Sequence, residues 1–406
     1  VIETPWTGGV PVLVEHQPHL RTTSLAVALG HGARHDPADA AGTAHLLEHL
    51  VMSVPLADGV PLCEHIERLG GTCNAATGPD SLVIHAQVLD QDAERVAELV
   101  CRALLRPELT GPALDAERRV VLQELAAAAA DPADTVQDAF LARLFEGHPL
   151  ASPVGGRPGT VERIGTEDLR TAHRTALATA PLAVAVVGGL PADRIAAALE
   201  AGGLRDLPAV APTGPDGPDR PGPVRPGQAD AWPEEFCWLL AGGRAPHATD
   251  PRRHAHTVLA HLLGASPASL LYARLRNEDG LAYSFRSWSR SYRDTGAWRM
   301  LAGAEPENAP KVLDAFREVL AQTADGRAGQ EAVEAAVHQA VVEAVLTAES
   351  PLDRAVTLAE RRALTGTDLD PDEEIAALRG VTGAQVAAAA RELAEGLVVV
   401  VRPEAA

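Results

Sequence analysis

The chain has 406 residues, 46% of them hydrophobic and 22% charged, a balance that excludes disordered and fibrous classes and leaves room for two domain-sized cores. A formal charge of −20 excludes a protein that grips nucleic acid by neutralising phosphates and argues against an anionic membrane surface, so neither partner is expected. No run reaches the roughly 18 apolar residues of a membrane span.

Val1-Ile2-Glu3-Thr4-Pro5 carries neither the basic start nor the apolar core of a secretory leader, so a cytoplasmic placement is expected. Val10–Glu15 and Ser24–Gly30 have the β-branched and apolar content of strands, and a helical pattern follows over Gly42–Met52. Further helices are predicted at Leu62–Leu69, Ala93–Leu105, Ala113–Ala130 and Thr135–Phe145, with an alternating strand at Ser81–Val88. The first half closes on Thr166-Glu167-Asp168, whose hydroxyl cap and acidic first turn start a helix to about Ala176, and then on the apolar strand Leu182–Val187.

From Leu207 to Pro233, Pro and Gly recur and apolar periodicity disappears, which predicts a semi-extended linker. Beyond it, Val381-Thr382-Gly383 opens a helix ending near Glu395, and Leu397–Val401 follows as an apolar strand. This repeats the ending of the first half with a spacing one residue different, which points to an internal duplication. The expected fold class is α+β: two homologous α/β-sandwich lobes, 1–206 and 234–406, each a mainly antiparallel sheet with helices packed on it, joined by the linker 207–233. Cys63, Cys73, Cys101 and Cys237 form no C-x-x-C pair, so they are expected to be free, buried thiols.

His45-Leu46-Leu47-Glu48-His49 lies inside the first helical pattern. His45 and His49 stand one turn apart on one face, the geometry two imidazoles need to grip one zinc ion, and Glu48 beside them can serve as general base. The alternative, two solvated histidines on a helix face, fits poorly with Leu46, Leu47 and Leu50, which place the helix in a core. A catalytic zinc usually takes three protein ligands. Glu117 and Glu124, seven residues apart on the helix 113–130, share a face, so Glu124 can complete the site while Glu117 orients an imidazole. Acidic residues at that spacing also commonly make only a solvated stripe, and spacing alone leaves both readings open.

The inverted His-x-x-Glu-His order, with the Glu117-Arg118-Arg119-Val120-Val121-Leu122-Gln123-Glu124 helix about 75 residues later, resembles the pitrilysin/insulinase metallopeptidases, the inverzincins. Gly70-Gly71-Thr72-Cys73-Asn74-Ala75-Ala76-Thr77 is similar to that family's Gly-x-x-x-Asn-Ala-x-Thr segment, and Arg276 through Gly280-Leu281-Ala282-Tyr283 to its Arg…Gly-Leu-x-Tyr signature. The size and the motifs in both halves resemble the short bacterial branch related to mitochondrial processing peptidases. The resemblance implies one Zn2+ per chain on His45, His49 and Glu124, with Glu48 as base and Glu117 as the orienting carboxylate. It also implies Asn74 and Ala75 at the substrate cleft, with Arg276 and Tyr283 reaching the substrate from the second half. Val51-Met52-Ser53-Val54-Pro55-Leu56 departs from the family's Phe-x-Gly-Thr, so the family's side-chain preference does not carry over.

The function implied is a zinc-dependent endopeptidase acting on peptides or unfolded segments, paired with a second copy or a related chain. The alternative is a non-catalytic or substrate-binding subunit of a heterodimeric peptidase; removal of leader segments in natural-product maturation is a third role. No other metal site is expected. His31 and His35 read as loop surface residues, and His254, His256 and His261 as a helical cluster without a nearby acidic partner at ligand spacing.

Overall fold

A computed structural model of the chain describes residues 9–215, 221–227, 232–264, 266–278, 280–282 and 284–404. The strands are β1 (Val12–His16), β2 (Thr22–Leu29), β3 (Thr72–Thr77), β4 (Leu82–Leu89), β5 (Leu182–Gly188), β6 (Cys237–Ala245), β7 (Ser284–Ser291), β8 (Gly296–Ala304) and β9 (Val398–Arg402). The helices that matter most for the site and the sheets are α1 (Thr43–Ser53), α2 (Asp90–Leu105), α3 (Gly111–Ala130), α4 (Pro132–Leu144) and α5 (Thr166–Thr179). In the second half they are α6 (Arg253–Gly264), α7 (Ala309–Ala324), α8 (Gln330–Glu349), α9 (Pro351–Thr365) and α10 (Gly383–Glu395).

The described residues form two compact units, each drawn from separate stretches of chain. The first takes in Val1–Leu125, Ser152–Thr213 and Thr347–Leu369; the second takes in Ala126–Ala151, Gly214–Leu346 and Asp370–Ala406. The units therefore interleave in sequence and do not coincide with the continuous stretches 1–206 and 234–406: α4 belongs to the second unit and α9 to the first.

The first unit has a five-stranded sheet in the order β1-β5-β2-β4-β3, with β1 parallel to β5 and the other pairs antiparallel. Strand alternation divides its two faces. Leu25, Val27 and Leu29 of β2 join the core that includes Leu46, Leu47 and Leu50 of α1 and Val96, Ala97 and Val100 of α2. Ala26 and Ala28 point the other way, where with Ala183 and Ala185 they make a small-residue surface that lets α9 approach closely. On α9, Ala355, Leu358, Ala359 and Ala363 recur at helical spacing and are all buried. Burying a side chain such as Leu358 contributes about 1.5–3 kcal/mol. Arg354 at the start of α9 pairs with Glu15 of β1 at 3.0 Å, and Glu360 accepts from Ser81 Oγ at 2.7 Å.

The second unit has an antiparallel sheet in the order β7-β8-β6-β9. Leu239, Ala241, Met300 and Ala302 pack into the core with α6, α7 and α10, while Leu240, Leu301 and Val398 face Val136, Phe140 and Leu144 of α4. Each crossing helix follows a 20-residue helix, a one-residue cap and a Pro at its first position: Asp131-Pro132 after α3, Ser350-Pro351 after α8. Gly227 of the expected linker bridges in parallel to Val398 of β9, the relation β1 has to β5 in the first sheet. Both features support the duplication.

Some details differ from expectation. The cap of α5 is Gly165, not Thr166; its N–H donates to Asp168 Oδ2 at 2.8 Å, so the acidic residue holds the helix start. Cys101 and Cys237 are buried free thiols, but Cys63 and Cys73 are only half-buried. His31 and His35 are not a surface pair: both are half-buried and stack with ring centroids 4.9 Å apart. Burial pulls His31 down to about 4, and His35 adds to this.

Candidate metal centre

Helix α1 owes its position to a polar anchor and an apolar face. Its leading N–H groups need acceptors, and Asp36 from the preceding loop supplies two, accepting from Gly42 at 2.9 Å and Ala44 at 3.1 Å. Burial pushes the Asp36 carboxyl up to about 7, against the pull of the Gly42, Ala44 and Thr43 amides. Gly42 itself has φ 102°, and a Cβ there would stand 2.8 Å from the Gly155 carbonyl oxygen, so no other residue fits the turn. Leu46, Leu47 and Leu50 are at most 2% exposed. The opposite, half-buried face presents His45, Glu48 and His49.

Helix α3 brings up the other two carboxylates. Leu114 and Val121 are its buried residues, and Arg118 fixes its rotation by donating from Nη2 to the Ile164 carbonyl at 2.6 Å and from Nε to the Val161 carbonyl at 3.2 Å. With α3 held this way, Glu124 Oε2 lies 3.4 Å from His49 Nε2 and 3.8 Å from His45 Nε2. Glu117 Oε2 accepts from His49 Nδ1 at 3.1 Å. With Nδ1 engaged by this carboxylate, Nε2 is the ring nitrogen turned toward Glu124.

Ligands about 2.0–2.1 Å from zinc at tetrahedral angles stand roughly 3.3–3.4 Å from one another. The 3.4 Å separation matches that, the 3.8 Å separation is slightly longer, and the Glu124 side chain is 50% exposed. Among the described residues, His45, His49 and Glu124 are the one group of three metal-binding side chains whose ligand atoms lie within 4.8 Å of one another. Burial lowers the pKa of His45, and the neighbouring His49 lowers it further, against the carboxylates of Glu48 and Glu124. Both effects favour the neutral imidazole a metal requires. His45 Nδ1 is buried without a hydrogen-bond partner, facing Gly155, where a Cβ would meet the Leu125 side chain at 2.9 Å.

Glu48 projects beside this group, and Thr77 Oγ1 donates a hydrogen bond to its Oε2 at 2.5 Å. Thr77 ends β3, the outermost strand of the first sheet. Alternation along β3 puts Cys73, Ala75 and Thr77 on one face and Asn74 and Ala76 on the other. Ala75 is 7% exposed and belongs to the core under α1, while Asn74 is exposed and its Oδ1 accepts from the Ala75 N–H at 2.9 Å. Arg276 is exposed in the second unit, in a π-helical turn, with its guanidinium 5.2 Å from the centre of the Tyr272 ring. Tyr283 lies outside the described residues.

Sequence reasoning passed over Thr77, Asp36 and Arg118. Thr77 carried a signal, since it closes the Asn-Ala-x-Thr segment; Asp36 and Arg118 act through loop carbonyls and amides and had none. Each second-unit histidine meets a carboxylate from a distant part of the sequence: His254 with Glu374 at 3.2 Å, His256 with Glu392 at 3.7 Å and His261 with Glu343 at 3.2 Å. Each is a separate pair with its own carboxylate, and they do not converge on one point.

Comparison with known proteins places the chain in a family. Residues 11–157 match the family "Insulinase (Peptidase family M16)", and residues 163–340 match "Peptidase M16 inactive domain". An uncharacterised zinc protease of Mycobacterium leprae is 33% identical over 330 residues, covering 80% of this chain and 74% of that protein. A solved protease from Helicobacter pylori superposes with a TM-score of 0.87 at 17% identity, over 99% of this chain and 98% of that one. A Pseudomonas fluorescens structure described as a peptidase M16 inactive domain gives a TM-score of 0.86 at 20% identity, over 98% and 97% of the two chains. The chain belongs to peptidase family M16, the insulinase family.

Proposed function

We propose that the chain is a zinc-dependent endopeptidase that hydrolyses peptides, including unfolded or leader segments, with one zinc on His45, His49 and Glu124. The observation that carries this reading is the meeting of two imidazole nitrogens and a carboxylate oxygen within 4.8 Å of one another, with a second carboxylate, Glu48, tethered beside them. When bound, zinc supplies Lewis acidity toward a peptide carbonyl and toward water. Thr77 occupies Glu48 Oε2 and leaves Oε1 as the basic atom, which takes the proton of the attacking water and passes it to the departing amine. Glu117 holds the His49 ring in register through Nδ1. The outer edge of β3, which among the described strands pairs only with β4, offers main-chain donors and acceptors for a substrate lying as an added strand.

The word "inactive" in the second matched family concerns residues 163–340, which contain none of His45, Glu48, His49, Glu117 or Glu124. The test is zinc content and peptide-library cleavage of the protein beside its Glu48→Gln variant. About one zinc per chain in both, with cleavage only in the parent, is the expected result. A parent that binds zinc and cuts nothing, or a variant that cuts like the parent, refutes the catalytic reading.

A further inference from the structure

In a chain of net charge −20, one surface of the second unit carries a cluster of cations. Strand β7, Ser-Phe-Arg-Ser-Trp-Ser-Arg-Ser, is the outermost strand of its sheet, and among the described residues it pairs only with β8. One face of β7 is spent on the fold: Ser287 is buried and donates to the carbonyls of Ala260 and Gly264 in α6. The other face presents Arg286, Trp288 and Arg290, with both arginines exposed and Trp288 half-buried. Directly across the ladder from Trp288 lies Arg299 of β8, only 6% exposed.

The aromatic rings hold these guanidiniums together. Arg286 and Arg299 lie 4.6 and 5.6 Å from the centre of the Trp288 ring, Arg290 lies 5.8 Å from that of Tyr292, and Arg299 donates to the Tyr292 hydroxyl at 2.7 Å. Among the described residues no carboxylate pairs with Arg286, Arg290 or Arg299, and Arg299 Nε is buried without any hydrogen-bond partner. Burial lowers the pKa of Arg299, and Arg290 and Arg286 repel it further, against the favourable Tyr292 hydroxyl. An uncompensated buried cation flanked by two exposed ones is costly for an isolated protein and becomes favourable once negative charge arrives.

We propose that the outer edge of β7 takes up an extended acidic peptide segment as an added strand, with acidic side chains four residues apart set against Arg286 and Arg290 and an apolar side chain midway against Trp288. The spacing follows from strand geometry. Same-face residues repeat every second position, and an added strand places its side chains about 4.5–5.5 Å from those directly opposite. The unpaired N–H and C=O groups of β7 supply backbone recognition, and the arginines read the charge. Binding here requires no hydrolysis and stands apart from the peptidase reading.

The experiment uses the full-length Glu48→Gln protein, so that cleavage plays no part, and a fluorescent blocked peptide, Ser-Thr-Glu-Thr-Leu-Thr-Glu-Thr-Ser, followed by anisotropy. Controls carry Gln in place of both Glu, or N-methyl groups on alternate amides. The expected result is binding of the acidic peptide about tenfold or more tighter than its Gln counterpart. Arg286→Ala with Arg290→Ala should abolish that difference without changing the melting temperature, salt should reduce it, and backbone methylation should weaken binding. Equal affinity for the Glu and Gln peptides overturns the proposal, as does an unaltered preference in the double variant or no binding up to roughly millimolar peptide. Displacement by inorganic pyrophosphate, with N-methylation having no effect, also overturns it by making this a site for small oxyanions.

Discussion

Glu117 separates a built metal centre from a chance cluster, because it is not itself a proposed ligand and acts only through His49. Its Oε2 accepts from His49 Nδ1 at 3.1 Å, and both side chains are under 20% exposed, so the bond is largely shielded from water. A hydrogen bond to a charged group in such a setting is worth about 1.5–3 kcal/mol, and orienting partners of ligating histidines typically contribute 10- to 100-fold in metal affinity. Glu117→Ala is therefore expected to weaken zinc binding by about 10- to 100-fold. Glu117→Gln, which keeps an acceptor but loses the charge, should fall between. The assay is competition with a chromophoric chelator at constant pH, with exposed Arg119→Ala as the control on the same helix. Unchanged zinc affinity in Glu117→Ala, with normal folding, would mean that Glu117 belongs to a solvated stripe and that the His49 ring is held by something else.

Thr77→Val should keep the metal and lose turnover by about tenfold or more, with Thr77→Ser restoring it, since only the hydroxyl holds Glu48; equal turnover in all three proteins would remove Thr77 from the mechanism. Glu15→Ala strands the Arg354 guanidinium, 4% exposed, beneath α9 and should cost about 3–5 kcal/mol in urea unfolding, whereas a cost under about 1 kcal/mol would show that α9 is held by packing alone. Asp36 gives a pH dependence. Its carboxyl is raised to about 7 in the folded chain, so its stabilising contribution is complete below its unfolded value near ~3.9 and is lost as pH rises through about 7. Asp36→Asn should flatten that part of the decline in urea midpoints measured across this window; an unchanged profile would place the titration elsewhere.

The candidate metal ligands were readable because they depend on local periodicity. His45 and His49 sit at i and i+4, and Glu117 and Glu124 at i and i+7, so the two helices each offer one face whatever the rest of the chain does. What periodicity left open was whether the two faces meet. That depends on Arg118 bonding the carbonyls of Val161 and Ile164, more than 40 residues away, and on Asp36 capping a helix from outside it. The role of Thr77 was hidden for a similar reason: the parity of β3 decides that Thr77 shares a face with Ala75 while Asn74 looks the other way.

The crossing helices mark the boundary between what a pattern states and what it omits. In α4, Val136, Phe140 and Leu144 recur every four residues, and in α9, Ala355, Leu358 and Ala359 do the same at mixed spacing. Such a stripe says that one face must be buried, but hydrophobic burial is non-directional and names no partner sheet. Side-chain size does carry that information. On the face of the first sheet under α9, Ala26, Ala28, Ala183 and Ala185 stand among Leu13, Val83 and Val187 and accept a helix whose own stripe is mostly Ala, whereas Leu240, Leu301 and Val398 of the second sheet meet Phe140 of α4. Close packing ties each helix to the sheet whose volumes it complements. Exchanging the two stripes would leave voids under one helix and clashes under the other, although both helices would keep the same amphipathic period.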